Sequence, residues 1–331
     1  MRDTVITRIN APEACAALWQ AHRPDARLLD VWPLRHALAV HYGVKPFFLC
    51  APDGGAILPA GLRGETVVFY GGRIYAERNG FCGLQTGADL IFSWLASESR
   101  PVRLLSWQHD PLPTLVGAQR IWDVPYNQYW ELPAFVDLDT YLATQGKGFR
   151  KDFAYAARRF EIVAHAAAEG ETFLSDAESL MLLTDEAFAS RGRASIYKDD
   201  ADRAAVLLTL RHFVAREQLI WISVRYRGVL VGLAAIVDDG LDPGLYLLNL
   251  YDPSINDVSA AALNGVVRYA CDRAIGLDGL RGAFGLKPRY GFVPRPAYAL
   301  VRDADWRVVP SIDLPNDERI RLYGRDFCRS A

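Results

Sequence analysis

Four stretches of this chain carry residue types that could handle an acyl group or an anion. The first is Asn249-Leu250-Tyr251-Asp252-Pro253, closing an apolar, strand-like run. Ligands of α/β proteins tend to bind where strands end. There Asn249 could touch substrate, Tyr251 could give a proton to a leaving group, and Asp252 could take one from an attacking amine. Asp-Pro also reads as a plain turn, in which Asp caps and Pro fixes the backbone. The second stretch is Gly285-Leu286-Lys287-Pro288-Arg289-Tyr290-Gly291-Phe292. Acyl transfer builds negative charge on a carbonyl oxygen, and a fixed ammonium such as Lys287 suits it. Lys287 and Arg289 could equally hold a phosphate or carboxylate, with the Tyr290 hydroxyl beside them. A solvated basic loop would look the same.

The third stretch is a basic helix, expected over Phe149–Phe160, with its leader Lys147-Gly148. Arg150 and Arg158, eight residues apart, share roughly one face and would attract a nucleotide or the backbone of a tRNA. The fourth is the basic loop Arg191-Gly192-Arg193-Ala194-Ser195-Ile196-Tyr197-Lys198, in which Arg191 and Tyr197 are candidates to line a site. Both stretches also read as solvated surface.

Other chemistries lack their residues. There is no GxSxG nucleophile elbow and no GxxxxGK[ST] phosphate loop. Six histidines and five cysteines show neither HExxH nor CxxC spacing, so no metal site is expected. The odd cysteine count fits a reducing cytoplasm. A formal net charge of −2 excludes a general nucleic-acid binder, though not a local basic patch. No apolar run is long enough to span a membrane, and the first residues show no signal-peptide core.

The elements that must position these residues follow from periodicity and punctuation. With 331 residues, two domains are the default. Helices are expected from about Ala11 to His22, over Val31–Tyr42 and Gly87–Ser97; strands over Val5–Ile9, Phe47–Cys50, Ala56–Leu62, Thr66–Tyr70, Val102–Trp107 and Ile121–Leu132. In the second half, Val136–Leu142 reads as a helix with Asp139 as a candidate cap. Glu161–Ala166 reads as a strand, and Ala177–Arg191 and Asp202–Glu217 as helices. Three hairpin-linked strands follow, Leu219–Tyr226, Val229–Val237 and Leu245–Tyr251. The helix Val258–Ala274 and a strand near Gly279–Phe284 end the pattern. A three-strand meander, a helix and another strand make the core order of a GNAT domain, and the first half repeats it loosely. The expectation is an α/β (α+β) chain of two GNAT-like domains, each a mixed central sheet with an antiparallel meander flanked by helices, over residues 1–133 and 134–331.

From Tyr141 to Phe292 the chain resembles the BioF2-like acyltransferases of the FemABX branch of the GNAT superfamily. The resemblance rests on the basic helix with Arg150-Lys151 and Arg158-Arg159, on two helices flanking Arg191–Lys198, and on the hairpin Arg227-Gly228-Val229-Leu230-Val231-Gly232-Leu233-Ala234-Ala235. It continues through Tyr251-Asp252-Pro253 and the loop with Lys287, Tyr290, Gly291 and Phe292. It implies that Lys287 stabilises an oxyanion and that the first half is a degenerate copy of the fold. One departure bears on the donor. Where the superfamily cradles the CoA pyrophosphate with a glycine pair, this chain has Asp252-Pro253-Ser254-Ile255-Asn256-Asp257-Val258, and the two acids oppose an anion at the helix start.

The expected activity is acyl or aminoacyl transfer from acyl-CoA or aminoacyl-tRNA onto the amine of a small molecule, peptide or cell-wall precursor, with no permanently bound cofactor. The competing expectation is a non-catalytic GNAT-fold module that binds a precursor or a protein, since a fold does not fix a function.

Overall fold

Proline and glycine decide where the first elements start and stop. The computed structural model describes residues 6–71, 75, 79–107, 128–190, 195–281, 286–296 and 298–302. After β1 (Thr7–Ile9), Pro12 opens α1 (Pro12–His22), and Pro33 lies in the first turn of α2 (Trp32–His41). A missing N–H is no loss at these positions. Short elements follow: β2 (Lys45–Pro46), β3 (Phe48–Cys50), β4 (Ala56–Leu58), β5 (Ala60–Arg63), β6 (Thr66–Phe69), β7 (Cys82–Gly83), α3 (Gln85–Ser97) and β8 (Val102–Trp107). The second part holds β9 (Gln128–Leu132), α4 (Leu138–Thr144), α5 (Lys147–Arg159), β10 (Glu161–His165), α6 (Gly170–Ser190), α7 (Asp200–Val214), β11 (Leu219–Tyr226), β12 (Val229–Val237) and β13 (Gly244–Tyr251). It ends with α8 (Val258–Asp272), β14 (Leu277–Arg281), α9 (Leu286–Arg289) and β15 (Val293–Pro296), before β16 (Tyr298–Arg302).

These elements fall into two compact units, β1–β8 with β16 and β9–β15 with α4–α9. Gln128–Leu132, the described part of the run expected as a strand over 121–132, pairs into the second unit's sheet, and β16 pairs with β8 of the first.

In the first unit the single strand expected over Ala56–Leu62 is two. Pro59 cannot donate to a ladder, and at that point the chain leaves one sheet (order β1-β3-β4-β7) for another (order β16-β8-β6-β5-β2). Arg35 is fully buried and held by Asp30 at 2.5 Å and by Asn79 Oδ1 at 2.8 Å. Rings surround this pair: Trp32 stacks on His36 and Tyr70, and His36 Nδ1 meets the Tyr70 hydroxyl at 2.6 Å.

The second unit is built on one seven-stranded sheet, order β10-β11-β12-β13-β14-β9-β15. The expected meander is β11–β12–β13, and its first turn, Arg227-Gly228, has φ of 53° and 81°, the left-handed pair that a two-residue hairpin needs. One face, with Ile222, Val224, Ala234 and Ile236, packs on α8. On the other face Phe173 of α6 meets Trp221. Gly265 lets α8 lie close, because a Cβ there would stand 2.3 Å from Ile222 Cγ2. Leu247 is an extra residue in β13: Ile236 pairs with Tyr246 and Ala235 with Leu248.

Three boundaries differ from expectation. The cap of α4 is Asp137, whose carboxylate accepts from Thr140 N–H at 2.6 Å, rather than Asp139. That bond lowers the pKa of Asp137 below the ordinary range. Helix α6 starts at Gly170, two turns before Ala177. Strand β14 is Leu277–Arg281, so Lys287 sits on the short helix α9 and not in a loop.

Candidate active site

Strands β13 and β14 run parallel for two residue pairs, Gly244 with Leu277 and Leu245 with Asp278. Beyond them the strands part, and β13 presents an edge from Tyr246 to Tyr251 that no strand pairs among the described residues. Such an edge carries main-chain N–H and C=O groups that need partners. Thr184 of α6 supplies them at the far end: its Oγ1 accepts from Tyr251 N–H at 3.0 Å and donates to Tyr251 O at 3.2 Å. A helix side chain thus stands where a strand would.

The extra residue at Leu247 puts Tyr246 and Asn249, opposite Ile236 and Ala234, on the face that packs on α8, and Tyr251 follows by alternation. Asn249 Nδ2 donates to Ser259 O at 3.0 Å and to Ser259 Oγ at 3.2 Å. Its Oδ1 is buried and has no hydrogen-bond partner among the described residues. On the opposite side of the gap Lys287, only 9% exposed, donates from Nζ to Gly279 O at 2.5 Å. Gly279 is the first residue of β14 past its last pair with β13. The same Nζ lies 6.0 Å from the centre of the Tyr246 ring. Tyr197 joins the group. Burial pushes its phenol pKa up, and the neighbouring Tyr246 and Tyr251 add to the effect. Burial raises Tyr246 as well, with the Asn249 amide beside it working the other way. Tyr197 and Tyr246 therefore stay protonated at neutral pH.

Of the residues singled out from sequence, Lys287, Tyr251, Asn249 and Tyr197 come together here. The others do different things. Asp252 Oδ1 accepts from Ser254 N–H at 2.8 Å and Ser254 Oγ at 2.6 Å, the turn reading of Asp-Pro. Tyr290 is buried, and its hydroxyl bonds to Asn264 Oδ1 at 2.5 Å and Ala260 O at 2.9 Å on α8. Its pKa is pushed up, first by burial and then by Tyr141. Arg289 pairs with Asp152 of α5 at the surface. Arg150 and Arg158 are exposed on α5 and touch none of the gap residues through a hydrogen bond, ion pair or ring. Arg191 lies outside the described residues.

Sequence reading missed Tyr246, hidden in an apolar strand, and Thr184. The second had a signal: a threonine in helical register with the buried Leu180 and Ala187. At the start of α8, Asp257 takes φ of 70° and does not cap the helix; its carboxylate meets Arg159 at 3.0 Å. Among the described residues no three His, Cys, Asp or Glu side chains are placed to hold a metal ion, and no helix is long and apolar enough to cross a membrane.

A parallel pair that parts beside a meander, with a helix crossing between, defines a GNAT-like mixed α/β fold. Neither a family model nor a curated protein matches the chain. Solved structures match it at the level of fold. The C-terminal domain of a protein described as a lysylphosphatidylglycerol synthetase from Agrobacterium fabrum aligns with a TM-score of 0.54 at 10% identity, over 89% of this chain and 93% of that one. L-PGS from Bacillus licheniformis gives 0.53 at 12% identity, over 97% and 98%. FemX gives 0.51 at 11% identity, over 88% and 95%.

Proposed function

We propose that the second unit is an acyltransferase of the BioF2-like, FemABX kind, acting in the cytoplasm. It moves an acyl or aminoacyl group from acyl-CoA or aminoacyl-tRNA onto an amine of a small molecule or cell-wall precursor. One observation carries this reading: Lys287 is a buried amine fixed by Gly279 O where two parallel strands part. A fold shared with FemX and a lysylphosphatidylglycerol synthetase supports the transfer class and leaves the substrates open.

In the reaction the amine nitrogen attacks the carbonyl carbon, and an electron pair moves onto the oxygen. Lys287 Nζ stabilises that oxygen in a site shielded from water, where such a donor is worth most. The pair then returns to the C=O bond and the C–S or C–O bond to the donor breaks. Tyr251 is placed to give the leaving atom its proton, while the Tyr246 and Tyr197 phenols, held protonated by burial, could only offer it hydrogen bonds. Asn249 Oδ1 accepts a hydrogen bond from the attacking amine. Asp252, occupied by Ser254, is a poor base here, so the proton lost by the amine passes to the tyrosine oxygen that has protonated the leaving atom, which restores the phenol and closes the proton balance.

The test is transfer to an amine by purified protein, measured in single turnovers with an acyl-CoA panel and with aminoacyl-tRNA. Lys287→Met keeps the length and removes the charge. It is expected to lower the rate by roughly 10²–10³-fold, the loss typical of a removed oxyanion donor. Lys287→Arg is expected to recover part of it. An unchanged rate in Lys287→Met, with folding intact, would sink the catalytic assignment and leave the binding module.

A further inference from the structure

Helix α5 turns Phe153 and Ala156 into the core and leaves Lys147, Arg150, Lys151, Tyr155 and Arg158 exposed. Lys147, Lys151, Tyr155 and Arg158 form one row at three- and four-residue spacing, about 16 Å long. The acids nearby are already engaged, Asp152 with Arg289 and Asp257 with Arg159. None of the four exposed α5 cations makes an ion pair with a described carboxylate.

The row continues onto the β11–β12 hairpin. The Arg159 guanidinium lies 6.0 Å from the Tyr155 ring and 5.5 Å from the Tyr226 ring, and Arg227 covers Tyr226 at 5.2 Å. Val229 is paired with Tyr226, so it points to the same side, and it is 64% exposed at the hairpin tip. Tyr155 is 49% exposed. Two apolar groups thus stand out of the surface among Lys151, Arg158, Arg159 and Arg227. Glu161, across the strand from Arg225, is the neighbouring acid on the opposite face of the hairpin.

We propose that this face of α5 and the hairpin tip dock the protein onto a bilayer bearing anionic headgroups. A phosphate backbone would use the cations but gain nothing from an exposed valine, and one side of the Tyr155 ring is already taken by Arg159. A bilayer interface uses both: the cations meet the headgroup layer, and an aromatic with an aliphatic neighbour enters the acyl boundary. This surface stands independently of the transferase reading.

The test is co-sedimentation of the full chain with phosphatidylcholine vesicles, with and without phosphatidylserine, over a range of salt. Wild type is expected to pellet with the serine-lipid vesicles and to be released as salt rises. The double variant Lys151→Glu/Arg227→Glu is expected to weaken binding at least roughly tenfold, since each cation near a charged surface matters severalfold. Tyr155→Ser/Val229→Ser should weaken binding while keeping the salt dependence. All four positions are exposed, and Lys151→Gln/Arg227→Gln serves if the reversed charges disturb folding. Equal binding to both vesicle types overturns the proposal, as does a double variant that binds like wild type. Binding of a mixed tRNA pool by the same residues, with none to vesicles, would make the surface an RNA site instead.

Discussion

His212, near the end of α7, has its pKa pushed down to about 4, first by burial and then by Arg216. Its Nε2 is buried without a hydrogen-bond partner among the described residues. The neutral ring belongs to the folded state, and the unfolded chain, titrating near 6.5, binds the proton first as pH falls. Its contribution is therefore complete above about pH 6.5 and is lost as pH drops toward 4. With partial exposure screening the effect, the loss is about 1–2 kcal/mol. His212→Gln cannot titrate, so the gap between its urea midpoint and that of wild type should change in its favour from about pH 7.5 to about pH 4.5. Parallel midpoints at both pH values would refute the assignment. At this scale residue type suggests candidates and leaves their placement open. Lys287 is a candidate by residue type, because a lysine beside aromatics and glycines suggests anion chemistry. Tyr290, only three residues on, is a core residue, and nothing in its type distinguishes it from a site tyrosine until α8 supplies Asn264 and Ala260 as partners.

Helix α6 does the work of a strand at one point. Thr184→Val keeps the shape and removes both bonds to the Tyr251 main chain, leaving a buried N–H and C=O unmet. Each such group costs about 1–3 kcal/mol, and both belong to one residue. A loss of roughly 2–4 kcal/mol of stability is expected, with faster amide exchange at Tyr251 as the specific readout. Unchanged exchange there would show that the edge is held by something else. The elements most legible in the sequence were β11 and β12, found at their expected bounds because both strands are apolar and Arg227-Gly228 punctuates them. The start of α6 was hidden, since Gly170-Glu171-Thr172 carries no apolar period, and a 3-10 turn leads straight into it. The parting of β13 from β14 leaves no mark in either strand; it arises from pairing geometry, so the site's location could not be read from residue order.

The described residues form two units built on three sheets, with an unequal claim on the chain's ends. Residues 128–295 hold nearly every strand and helix of the second unit, so that fragment is expected to unfold cooperatively by itself. Residues 1–127 lack β16, which leaves β8 as an unpaired edge. That fragment should melt earlier and scatter light on heating, as exposed edges template association. Equal stability with and without residues 296–331 would contradict this. The mixed α/β class and the GNAT-like order were legible because the meander, helix and strand of the second unit are local. The return of β16 was not, since a strand added from far along the chain has no local signature. The extra residue at Leu247 has a consequence of its own. Side chains on a strand alternate, so the count between two positions has parity, odd or even, and nothing between. With Leu247 present, Tyr246, Asn249 and Tyr251 share a face. Any residue of similar bulk at 247 preserves that count. Losing Leu247 would leave Tyr246 opposite Ile236 and Leu248 opposite Ala235 as before, but pairing Leu247 into the ladder opposite Ala235 would send Asn249 and Tyr251 to the α6 face and offer Leu248 and Leu250 to α8. The polar lining of the gap is thus an all-or-none property of register, kept whether Leu247 is replaced or removed and lost only by a one-residue slip that draws Leu247 into the ladder.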